Sequence, residues 1–117
     1  MSIADLDVGN LVEKITLADG RLIRILSHGG YSEFVPRMYE ARITLPLNPG
    51  YVMGDCVIGG VGRSRRYALS DLALHLRTAE SVLWSLRAHE QRDIVGELII
   101  EINGICDQYP WAEPEAV

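Results

Sequence analysis

A chain of 117 residues with 48% hydrophobic residues and a mean hydropathy of +0.08 can bury one core, which excludes an intrinsically disordered chain. No apolar run approaches the roughly 18 residues of a membrane span. The net charge of −5 and pI of about 5.1 argue against nucleic acid, whose phosphates call for a basic face, and favour a basic protein partner.

A single domain over residues 1–117 is expected, with a short N-terminal arm and an acidic, proline-containing tail from about 110. The segment MSIADLDVGNL has two acids and no basic residue, unlike a secretory signal, so the expected setting is soluble and cytoplasmic. Cys56 and Cys106 have no metal or redox spacing and are expected as free buried thiols. The cations are ten arginines and one lysine, Lys14, and arginine is the cation preferred at interfaces and anion sites.

Residues 1–9 carry no clear periodicity. From Leu11 to Leu17 the chain alternates, with Leu11, Ile15 and Leu17 on one face and Val12, Lys14 and Thr16 on the other. Ala18-Asp19-Gly20 then supplies a turn into a strand over 22–26, because glycine accepts the positive φ that such turns demand. Ser27–Pro36 reads as a loop, with Tyr31 and Phe34 as aromatics that have little core to enter there. Arg37–Leu45 alternates cleanly as a third strand, 46–50 turns, and 51–58 is the fourth strand. Three glycines and three arginines follow over 59–66. This stretch reads as a flexible strand-to-helix connection, or as an anion site built from Arg63, Arg65 and Arg66.

Ser70 has the chemistry of a helix cap, Asp71 suits the positive end of the dipole, and a long helix is expected over about 70–90. Leu72, Leu76, Ala79, Leu83 and Leu86 line its buried face. Leu74, Trp84 and Ala88 lie on another face, which the second C-terminal segment or another subunit must cover; the latter would make a homodimer. Residues 93–109 fit a second helix capped by Asp93, with Ile100 alone off the apolar stripe. Asn103-Gly104 keeps a hairpin open as the alternative. The tail's Trp111 has the character of a docking residue.

The fold class is therefore α+β, an antiparallel sheet of about four strands packed on two helices. No Gly-x-Ser-x-Gly, His-Glu-x-x-His, Cys-x-x-Cys or P-loop pattern is present, so no catalytic residue, metal or cofactor is expected. If chemistry occurred, Glu33, Asp55 or His28 would be the acid/base candidates.

The leading expectation is a non-catalytic interaction module that occludes a protein partner through Tyr31, Phe34 and Trp111. In composition alone it resembles bacterial immunity and inhibitor proteins and secretion chaperones. The competing expectation is a dimeric small-ligand or anion-binding regulatory protein using the 59–66 loop.

Overall fold

The structure is a computed structural model that describes residues 10–29, 37–45 and 56–113. In chain order these form β1 (Asn10–Thr16), β2 (Leu22–Gly29), β3 (Arg37–Leu45), β4 (Cys56–Gly62), α1 (Arg65–Ser85) and α2 (His89–Cys106). The strands are neighbours in sequence order, each antiparallel to the next, and the two helices follow them. The expected α+β architecture holds. Ile23, Ile25, Ala41 and Ile43 from one sheet face form a single core with Leu69, Leu72 and Leu76 of α1 and Val95, Ile99 and Ile102 of α2. No helix among the described residues is long and apolar enough to cross a membrane.

The first hairpin turns where expected. Gly20 has φ +89°, its amide donates to the Leu17 carbonyl at 3.0 Å, and Asp19 accepts from the Arg21 amide at 3.0 Å. One detail differs from simple alternation. A bulge at Val12 makes Leu11 pair with Leu26 and Glu13 with Ile25, and an extra residue flips everything before it to the other face. Leu11 is accordingly exposed, while Glu13 takes the helix-facing side with Ile15.

The strand expected to stop at residue 26 continues to Gly29, with Ser27, His28 and Gly29 opposite Tyr39, Met38 and Arg37. Strand pairing is a backbone interaction, so polar side chains do not end it. The larger correction concerns Gly59–Gly62, which is not a connection but the paired C-terminal half of β4. An ideal Cβ on Gly60 would lie 2.1 Å from the Leu72 amide nitrogen, and one on Gly62 would lie 2.7 Å from that of Ala68. The glycines let the backbone of α1 rest directly on β4.

That close approach moves the helix start. α1 begins at Arg65, capped by buried Ser64, whose Oγ accepts from the Tyr67 amide at 3.2 Å. Ser70 is an exposed position inside the helix, not its cap. Asp71 and His75 instead reach the outer edge of β4: Asp71 Oδ2 accepts from the Val61 amide at 2.9 Å, and His75 Nδ1 lies 2.8 Å from the Gly59 carbonyl.

At its other end α1 stops at Ser85, five residues short of the expected boundary, because Arg87 adopts φ 57°. The amides of Arg87 and Ala88 then bond the Trp84 and Leu83 carbonyls, a left-handed helix stop. α2 is a helix as expected, with Val95, Leu98, Ile99, Ile102 and Cys106 buried, and it starts at His89 with Ala88 at the cap position. Asp93 is therefore an interior residue of α2.

The N-terminal arm, the 46–50 turn, Tyr31, Glu33, Phe34, Asp55, the first five residues of the expected fourth strand and the last four of the tail lie outside the described residues, as does the Cys56 side chain. Cys106 is buried with a free thiol, and burial raises its pKa.

Candidate functional site

Of the three arginines assigned to an anion site, two hold carboxylates of their own chain. Arg65 Nε lies 2.7 Å from Glu113 Oε1 and its Nη1 lies 3.1 Å from Glu13 Oε1. Arg66 Nη2 is 3.2 Å from Asp107 Oδ1, and Nη1 donates to the Tyr109 carbonyl at 3.0 Å. Arg63 is exposed and apart from this cluster. The Gly/Arg stretch thus fastens the segment after α2 to the start of α1 and to β1.

The clamp has an electrostatic logic. The first turn of α1 contains no acid, and its unpaired amides leave partial positive charge. Glu113 supplies the missing carboxylate from 48 residues away, accepting from the Arg65 amide at 3.1 Å. The Glu113 bond, ahead of the bond to Glu13, raises the pKa of Arg65 and so holds it charged. Tyr109 donates its hydroxyl to Glu13 beneath Arg65, and burial together with that carboxylate pushes its pKa up to about 12. Trp111 does dock back: its ring centroid lies 5.0 Å from that of Tyr67 and 3.9 Å from the Arg66 guanidinium carbon, although half of its surface stays exposed.

The second candidate region runs from the β4 edge of the sheet along α1 to the exposed side of the helix pair. A groove of about 920 Å³ borders Val61, Arg63, Tyr67, Leu74 and Arg77. Arg77 also borders a hollow of about 480 Å³ with Gly96 and Ile100, and Glu80 and Arg92 carry this hollow over to Trp84. Along this continuous surface Leu74 is 59% exposed, Trp84 62% and Ile100 75%. Such exposure means that α2 does not cover the second face of α1. Trp84 is preorganised there, with the Arg92 guanidinium 4.5 Å from its ring and His89 edge-on at 6.1 Å. Ala88 separates from Leu74 and Trp84, because it is buried in the core at the helix-to-helix turn.

Sequence reasoning passed over Glu13, Tyr109 and Glu113, which bond across the fold and leave no local signature. Ile100, the one residue off the apolar stripe of α2, was the available signal for the exposed face. His28 sits on β2, with Nε2 3.0 Å from Glu40 Oε1; the same carboxylate oxygen lies 2.9 Å from Arg42 Nη2. His28 is thus a strand residue paired across to β3, not a loop residue. No group of three or more His, Cys, Asp or Glu that could hold a metal occurs among the described residues. No protein-family model matches the chain, and comparison with curated proteins and with solved structures finds no match.

Proposed function

We propose that this chain is a non-catalytic protein-interaction module that docks through the outer surface of its helix pair and acts by occlusion, as an inhibitor, immunity protein or secretion chaperone does. The observation that carries the reading is the exposure of Leu74, Trp84 and Ile100 on one continuous surface. Each large apolar side chain left in water forgoes roughly 1.5–3 kcal/mol of burial, and three together form the apolar centre that interfaces use. Arg77 and Arg92 beside Glu80, Asp93 and Glu97 supply both signs of charge around it. A second copy of the same surface is therefore complementary, as is a partner with mixed charge at its rim.

The anion reading receives no such support, because Arg65 and Arg66 already hold three carboxylates. Light scattering across a concentration series, together with co-purification of the product of an adjacent reading frame, tests the proposal. The Leu74→Asp/Ile100→Asp variant should lose self-association or partner binding while its melting temperature stays unchanged. A parent that is monomeric at high concentration, with partner binding that the variant retains, would refute it.

A further inference from the structure

The opposite surface of the sheet, which neither helix covers, carries a second and different pattern. Lys14 on β1 pairs in register with Arg24 on β2, and Arg24 pairs with Arg42 on β3. All three alternate with the helix-facing residues Ile15, Ile23, Ile25, Ala41 and Ile43, so they form one row of cations across three strands on the outer face. Arg42 is braced by Glu40 at 2.9 Å. Among the described residues, Lys14 and Arg24 have no ion-pair partner, and both are exposed.

Like charges directly opposite one another on adjacent strands weaken a sheet. This chain places three in line although its net charge is −5. Exposed Leu22 and Val57 flank the row on the same face, at 44% and 59% exposure.

We propose that this face binds an acidic protein segment that presents carboxylates at alternate positions of an extended stretch. Adjacent strands lie about 4.8 Å apart, so the row spans roughly 10 Å, and carboxylates at i and i+2 of an extended segment, roughly 7 Å apart, fit within it. Arginine recognises carboxylates with paired, charge-assisted bonds, and the intervening side chains of an extended segment point away from the sheet. Single-stranded nucleic acid is the poorer occupant. None of the outward-facing residues on the described strands is Phe, Tyr or Trp, which base stacking would use. This surface is distinct from the helix-pair surface and calls for a partner of opposite chemistry to a basic one.

The test is fluorescence anisotropy with a labelled peptide of alternating Glu and Val, compared with a Lys/Val peptide and an oligothymidylate of similar length. The Glu/Val peptide should bind, more weakly as salt rises, and the Lys14→Glu/Arg24→Glu variant should bind it at least tenfold more weakly. That variant should melt no lower than the parent, because it turns the Arg24–Arg42 repulsion into an attraction while positions 14 and 24 stay like-charged as before. The Leu74→Asp/Ile100→Asp variant should bind the peptide as the parent does, which separates this surface from the helix pair. No binding by the parent, equal binding by the charge-reversed variant, or tighter binding of the oligothymidylate would each overturn the proposal.

Discussion

The contact between β4 and α1 makes Gly60 the position where one methyl group should do the most harm. An ideal Cβ there would lie 2.1 Å from the Leu72 nitrogen, 2.5 Å from the Ala68 oxygen and 2.7 Å from the Asp71 carbonyl carbon. Ordinary contact needs about 3.5 Å, so the helix must retreat by more than 1 Å, and no rotamer change can relieve a backbone clash. Overpacking a core costs about 1–3 kcal/mol when side chains can yield. Here Leu69, Leu72 and Leu76 would be lifted off the sheet together, so Gly60→Ala should cost about 3 kcal/mol or more. Against a total stability of about 5–15 kcal/mol, and with an unfolding entropy of about 2.1 cal/mol/K per residue, that lowers the melting point by roughly 12 °C. Urea unfolding followed by circular dichroism measures it, with Gly104→Ala as the comparison. Gly104 lies in α2 with nothing within 4 Å of its added Cβ, so alanine should stabilise it by about 0.5–1 kcal/mol. A Gly60→Ala protein that melts within a degree or two of the parent would show that α1 does not rest on β4 as described.

Three further outcomes test the other contacts. Ser64→Ala should cost about 1 kcal/mol as a lost cap, whereas Ser70→Ala should be neutral, and thermal unfolding of the two variants distinguishes the observed helix start from the one expected at Ser70. The Tyr109 pKa is pushed up to about 12 from 10.0 in the fold, so the neutral phenol stabilises the protein fully below pH 10, and that contribution is lost as pH rises from 10 to 12. Tyr109→Phe should flatten this alkaline loss in a pH series of melting temperatures. In a Cys56→Ser background, buried Cys106, with its raised pKa, should react with a thiol reagent only as fast as the protein opens, and a rapid reaction in native buffer would contradict its burial.

Periodicity carried much of the fold. The β3 alternation of Tyr39, Ala41, Ile43 and Leu45 and the α2 stripe from Val95 to Cys106 were legible because burial on one side imposes a repeat on the residues themselves. What escaped has a common physical origin. Gly59, Gly60 and Gly62 read as a flexible connection because glycine marks both a turn and a close backbone contact, and only the partner element tells them apart. The break between the helices escaped because Arg87 adopts a positive φ with no glycine or proline to announce it. Arg65 and Arg66 suggested a ligand site because their carboxylate partners, Glu13, Asp107 and Glu113, lie 41 to 52 residues away in sequence. The exposed helix surface was half visible: Leu74, Trp84 and Ile100 stood off their stripes, while Ala88 looked like a member of the same face and is not.

The bonds from Asp71 and His75 to β4 have a bearing on how copies of this protein can join. A sheet grows by strand addition only where an edge offers free amides and carbonyls. On β4 the Val61 amide and the Gly59 carbonyl are already taken by side chains of α1, so the border is capped at this stretch. Among the described residues nothing bonds the outward peptide groups of β1, although the bulge at Val12 interrupts their spacing. Edge-to-edge pairing is therefore steered toward β1 and away from the capped stretch of β4. With one border partly capped and the other interrupted by a bulge, contact of this kind favours a pair of molecules over a growing fibre.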